Sequence, residues 1–88
     1  MSELNPEIKY PISPNVLIDY IKTTSVYPVY MGSDFISFST EPFWGGMELP
    51  PHVEVYYNSV LDRSEVRAIL LRLNLRVEDF EIHLTGNL

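Results

Sequence analysis

Two segments of the chain repeat their apolar residues with the period of an α-helix. Ser13-Pro14 has the features of a helix start, because serine accepts from first-turn amides and proline at the first helical position loses no needed donor. Asp62 and Glu65 have the spacing of a capping box, and Asn74 can adopt the left-handed conformation that ends a helix. The pattern predicts amphipathic helices over roughly 14–23 and 63–73. Their apolar stripes are Leu17, Ile18, Tyr20 and Ile21 in the first, and Val66, Ile69, Leu70 and Leu73 in the second.

Alternation of apolar and polar residues predicts strands between and around these helices. Segments 26–31 and 35–40 flank the turn Gly32-Ser33-Asp34 and form a hairpin, with Pro28 placing its first strand at a sheet edge. A further strand is expected over 52–58. Its residues Val53, Val55 and Tyr57 face one way and His52, Glu54 and Tyr56 the other, so one face of the sheet meets solvent.

Two more strands are expected at the ends of the chain. The first rests on Ile8, Tyr10 and Ile12, and the last on Phe80, Ile82 and Leu84 alternating with Glu81 and His83. The resulting order is βαββαβ when the hairpin counts as one unit. It favours a single α+β domain over residues 1–88, arranged as a ferredoxin-like split βαβ sandwich with both helices on one face of a mainly antiparallel sheet.

Charge and composition narrow the classes of partner. The 88 residues carry a net charge of −6, which argues against nucleic acid or an anionic membrane surface as partner. The absence of cysteine excludes disulfides and thiolate metal sites. The chain opens with acidic and polar residues and no signal-like stretch, so we expect a cytoplasmic protein.

Catalytic chemistry finds little support in the sequence. Gly32-Ser33-Asp34 has the character of a turn rather than of an activated serine, and Gly45-Gly46 lacks the residues of a phosphate loop. We therefore expect no enzyme and no cofactor. An alternative is a metal site from two His/Glu pairs, His52 with Glu54 and Glu81 with His83, each pair on one face of a strand. In the expected topology these pairs lie roughly 10 Å apart, and two solvated strand faces are the simpler interpretation.

The most unusual segment is the apolar connection over residues 41–52. Its large side chains are buried over the core or sheet in one interpretation, and anchor a partner protein in the other. The candidate partner-binding residues are Phe43, Trp44, Met47 and Leu49 in this loop, with Tyr56 on the open sheet face and Leu71 on the outer side of the second helix. Replacement of Trp44 by alanine is expected to cost stability or binding.

A small acidic module for protein–protein interaction fits these features best. Its partner is expected to be another protein of basic character, and an inhibitor or immunity-type protein is one concrete form. A homodimer through Leu71 or the open sheet face is also expected. The alternative is a small-molecule or metal-binding module that uses the His/Glu pairs.

Overall fold

A computed structural model gives the fold, and it describes residues 8–43, 45–46 and 48–85. These residues form three helices around a three-stranded antiparallel sheet of order β1-β2-β3, which confirms the α+β class. The ferredoxin-like split βαβ arrangement is not confirmed, because the expected first and last strands are not in this sheet. The elements in chain order are α1 (Pro14–Lys22), β1 (Tyr27–Met31), β2 (Phe35–Ser39), β3 (Val53–Tyr56), α2 (Arg63–Arg72) and α3 (Val77–Thr85).

The starts of α1 and α2 have the caps that the sequence predicts. The Ser13 hydroxyl accepts from the Asn15 amide at 3.3 Å, with proline following as the first helical residue. The Asp62 carboxylate accepts from the Glu65 amide at 2.9 Å, and the Glu65 carboxylate accepts from the Asp62 amide at 3.0 Å. Two first-turn N–H groups thereby gain partners at α2, as a capping box provides.

The end of α2 is a Schellman motif with asparagine in the left-handed position. Asn74 has a φ of 61°, and its amide donates to the Leu71 carbonyl at 3.0 Å. The Leu75 amide donates to the Leu70 carbonyl at 2.8 Å, which brings Leu75 against the core. These two bonds satisfy carbonyls that the last helical turn leaves open, and they redirect the chain into α3.

Replacement of Asn74 tests this helix end. Asn74→Ala is expected to lower the free energy of unfolding by about 1 kcal/mol, because alanine pays the steric cost of a left-handed backbone. Glycine has no Cβ, so Asn74→Gly is expected to keep the free energy of unfolding of the wild-type protein. Urea denaturation of both variants measures the difference, and equal stabilities would contradict the motif's role.

One face of the sheet carries the hydrophobic core. Ile36 lies opposite Val55 and Phe38 opposite Val53, and all four side chains are buried. All three helices bury residues in the same cluster as these strand residues, and α1 and α2 both contact β3. The helical members are Leu17, Ile18, Tyr20 and Ile21 of α1, Val66 and Leu70 of α2, and Val77 and Phe80 of α3.

The hairpin is confirmed, and β1 is an edge strand. In the described part of the chain β1 pairs only with β2, and the register shifts between Pro28 and Tyr30. Proline has no N–H to donate, so an edge position costs it no ladder bond.

The predicted first strand is wrong. Around Ile8, Tyr10 and Ile12 the backbone makes a single bridge, in which Ile12 and Leu61 exchange two hydrogen bonds of 2.8 and 2.9 Å. Pro11 has no N–H, which leaves this segment too few donors for a longer pairing. The bridge nevertheless holds the segment beside the start of α2.

The predicted last strand is also wrong, because these residues form helix α3. Val77, Phe80 and Leu84 recur at i, i+3 and i+7 and pack against the core, while Ile82 is 59% exposed. Glu78 and Asp79 lie in the first turn, where carboxylates interact favourably with the helix dipole. Glu81 completes the inward stripe at i+4, and this polar residue conceals the helical period in the sequence.

Glu81 connects three parts of the fold. Its Oε2 accepts from the Tyr10 hydroxyl at 2.7 Å and from Arg63 Nε at 2.7 Å, and Oε1 accepts from Arg63 Nη2 at 3.3 Å. The hydrogen bond with Arg63 is the main cause that lowers the pKa of Glu81. Burial first, and then donation to Glu81, raises the pKa of Tyr10 to about 12. The N-terminal segment, α2 and α3 are thus joined by one ionised carboxylate.

This network predicts a pH-dependent contribution to stability. Since the folded-state pKa of Glu81 lies below its ordinary value of 4.5, the contribution is present above that pH and is lost as pH falls through the lowered pKa. The wild-type protein is therefore expected to exceed Glu81→Gln in free energy of unfolding near pH 7, and the difference is expected to shrink below about pH 4.

Urea denaturation across this pH range measures the difference. Tyr10→Phe keeps the Arg63 pair and is expected to show a smaller loss. A difference between wild type and Glu81→Gln that stays constant with pH would contradict the network.

Candidate functional site

The second face of the sheet presents aromatic side chains that no described helix covers. Tyr30 lies opposite Ser37, Ser37 opposite Glu54, and Phe35 opposite Tyr56, so these residues share a face. Tyr30 is 48% and Tyr56 45% exposed. We call the surface of Tyr30, Phe35, Glu54 and Tyr56 the aromatic face.

The three rings of the aromatic face form a continuous row. The Phe35 ring centre lies 5.3 Å from that of Tyr30 and 5.0 Å from that of Tyr56. A Cβ added at Gly32 would lie 2.8 Å from Tyr30 Cε2, so glycine in the hairpin turn leaves room for this ring. Such ring contacts are favourable in their own right, and they fix the rings on neighbouring strands as one surface.

Glu54 supplies the charge of the aromatic face. Its Oε1 accepts from the Tyr56 hydroxyl at 2.8 Å, and its Oε2 lies 3.8 Å from His52 Nε2. The hydrogen bond to Glu54 raises the pKa of Tyr56, and the negative charges of Glu54 and Asp34 add to this rise. The phenol therefore stays protonated and keeps the carboxylate beside its ring.

No cation of the same region balances this charge. All six Lys and Arg residues lie before residue 23 or after residue 62. Residues 23–61, which contain the whole sheet, hold four carboxylates, at Asp34, Glu41, Glu48 and Glu54. Residues 23–61 therefore contribute only negative charge of their own, and Arg72 of α2 reaches them through a 3.2 Å hydrogen bond from Nη2 to the His52 carbonyl.

The loop between β2 and β3 is joined at its base by Ser39. The buried Ser39 hydroxyl donates to the Pro51 carbonyl at 2.7 Å and accepts from the Glu41 amide at 3.0 Å. Phe43 and Leu49 are each 38% exposed and are not members of the core cluster. These two candidates are therefore accessible to a partner, whereas Trp44 and Met47 lie outside the described residues.

The described loop residues line an open depression of about 390 Å³. Its walls are residues 41–43, 46 and 48–51. Enclosed sites that bury most of a ligand are typical for small molecules, and this open shape would leave a small molecule largely hydrated.

The proposed pairing of two His/Glu motifs on strands is wrong. Glu54 of β3 does lie beside His52, which directly precedes that strand, but Glu81 and His83 belong to α3 and point about 160° apart around it. Glu81 accepts hydrogen bonds from Tyr10 and Arg63. The exposed His83 packs against Tyr20, with 5.1 Å between the two ring centres. Within the described ranges, no group of three or more His, Asp or Glu residues could hold a metal ion.

The two remaining sequence-predicted residues lie at the surface. Tyr56 lies on the open sheet face, and Leu71 is 50% exposed on the surface of α2. Sequence reasoning missed Tyr30 and Phe35, although both flank the predicted hairpin turn. Because the two residues precede and follow that turn, they lie on adjacent strands of the hairpin, and this position is the signal that could have identified them as neighbours.

Comparison of the chain with protein-family models, curated proteins and solved structures finds no match. Among the residues that the structure describes, none of the helices has the length and apolar character needed to cross a membrane.

Two buried serines of β2 offer a matched test of the loop base. Ser37 and Ser39 lie on the same face, but Ser37 Oγ has no hydrogen-bond partner among the described residues. Ser39→Ala is expected to lower the free energy of unfolding by about 1 kcal/mol or more, because it removes two hydrogen bonds. Ser37→Ala removes an unpaired hydroxyl and is expected to cost nothing. Chemical denaturation of both variants measures this contrast, and an equal loss in the two would refute the role of Ser39.

Proposed function

We propose that this chain is a protein-interaction module that binds a basic partner protein through its aromatic face. The observation that carries the proposal is the exposed row of Tyr30, Phe35 and Tyr56 around the Glu54 carboxylate. Tyrosine is enriched in the centres of protein interfaces, where its ring supplies apolar area and its hydroxyl a polar contact.

Charge complementarity supports a basic partner. Residues 23–61 contain four carboxylates and no Lys or Arg, and Glu54 lies on the aromatic face itself, so a basic surface would meet mainly opposite charge there. A second copy of the same chain would present the same carboxylates, which disfavours a homodimer through two aromatic faces. The dimer expected from the sequence stays a prediction. An inhibitor or immunity-type protein that covers a basic surface of its target is one form of this function.

The exposed loop residues extend the candidate interface. Phe43 and Leu49 lie in the connection between β2 and β3. Ser39 of β2 holds the end of this connection through its hydrogen bond to Pro51, and Phe35 of the aromatic face belongs to the same strand. Leu71 lies on α2, which packs on the opposite side of the sheet, and it serves as a comparison site.

Site-specific photo-crosslinking tests the proposal. A crosslinking amino acid at Tyr27, which is 44% exposed and lies opposite Ser39 at the border of the aromatic face, is expected to capture a basic protein in the source cells. The same group at Leu71 is expected not to capture that basic protein, whereas capture of a second copy of this chain from Leu71 would support the dimer expected from the sequence. The captured protein, once purified, should bind the wild-type chain in calorimetry, and Tyr56→Ala should weaken that binding roughly tenfold or more.

The control variant is Leu71→Ala, which should leave affinity unchanged. Capture of the basic protein from Leu71 alone, capture of only a second copy of this chain from Tyr27, or an affinity insensitive to Tyr56→Ala would each contradict the proposal.

A further inference from the structure

The side chains of His52 and Glu54 face each other at the end of the aromatic face. His52 Nδ1 lies 2.9 Å from the Pro50 carbonyl, and because a carbonyl only accepts, Nδ1 carries the hydrogen. In the neutral ring Nε2 then holds only a lone pair. This nitrogen faces Glu54 Oε2 at 3.8 Å. The gap between them is suited to a donor that contacts both.

The structure supplies no such donor from the described residues. Glu54 Oε1 is occupied by the Tyr56 hydroxyl, which leaves Oε2 with the remaining acceptor capacity. Arg72 is the described cation that contacts this segment, but its Nη2 donates to the His52 carbonyl at 3.2 Å and not to the carboxylate. The Glu54 and His52 side chains are 40% and 27% exposed, so a group from outside can reach them.

The adjacent rings determine which kind of donor fits. A planar guanidinium stacks on an aromatic ring and donates several hydrogen bonds in a fixed fork, whereas an ammonium is compact and strongly hydrated. Tyr56 offers an exposed ring beside the carboxylate that it orients through its own hydroxyl. Aromatic stacking and the two acceptors are therefore available to one guanidinium.

We propose that the aromatic face binds an arginine side chain of the partner protein, with the guanidinium stacked on Tyr56 and donating to Glu54 Oε2 and His52 Nε2. This inference rests on the proposed function, since it names the partner group that the interaction module recognises. Glu54 provides the charge, Tyr56 the stacking surface, and His52 the second acceptor.

Capped tripeptides test the site without knowledge of the partner. Acetyl-Gly-Arg-Gly amide, its lysine version and its citrulline version are titrated into the ¹⁵N-labelled full chain at pH 8, where imidazole groups are largely neutral. The arginine peptide is expected to shift the signals of His52, Glu54 and Tyr56 in a saturable way. The lysine peptide should bind roughly fivefold more weakly or worse, and the uncharged citrulline peptide should cause no such shifts.

Two variants of equal charge provide the control. Glu54→Gln should abolish the arginine-induced shifts, while Asp19→Asn removes the same charge from an exposed position on α1 and should leave them unchanged. Tyr56→Leu should weaken the binding of the arginine peptide by removing the stacking ring. Because these side chains are exposed, the amide spectra are expected to confirm that each variant folds.

Several results would overturn the inference. Equal binding of the arginine and lysine peptides, or arginine shifts that persist in Glu54→Gln, would show general attraction to an acidic surface. Zinc ions that shift His52 and Glu54 where the arginine peptide does not would indicate a metal site instead. If the peptides fail while crosslinking from Tyr27 yields a partner that depends on Tyr56, the arginine inference is wrong and the interaction module stands.

Discussion

The three-stranded sheet has two faces, and side chains alternate between them along β2 and β3. One face is buried in the core, and the other is not covered by any described helix. Ile36, Phe38, Val53 and Val55 point to one side, where α1 and α2 contact β3, and α3 joins the same core through its contacts with α1 and α2. The other face carries Ser37, Ser39 and Glu54 among its aromatic rings, and no helix of the described part of the chain packs on it. The aromatic face is the direct result of this division.

The features that the sequence predicts correctly depend on neighbouring residues. Asp62 and Glu65 lie three positions apart and satisfy each other's backbone, and Asn74 ends α2 through its own tolerance of a positive φ. The hairpin follows in the same way from the turn around Gly32 and the β-branched and aromatic residues beside it. In each case the determining contacts span only a few residues, so the local pattern is sufficient.

The features that the sequence does not predict depend on contacts between residues far apart along the chain. Phe80, Ile82 and Leu84 fit a strand by alternation, and the polar Glu81 at an inward position conceals the helical period of the segment. A carboxylate is acceptable there because Tyr10 and Arg63, 71 and 18 residues away, bind it. For the candidate site, the exposure of Tyr56 follows from its strand pattern. The row from Tyr30 to Tyr56 requires the register of three strands, which no local pattern specifies.

The hydrogen bonds of Ser39 bear on how freely the chain between β2 and β3 can vary in length. Strand pairing and the contact with Pro51 already bring the two ends of this loop together. For a flexible loop with fixed ends, the closure entropy grows only logarithmically, at about 0.6 kcal/mol for each doubling of length. Insertions or deletions beyond Glu41 therefore change the reach of the loop at small thermodynamic cost and leave the strand register intact. The fold thus places the aromatic face beside a segment whose length can change at small cost in stability.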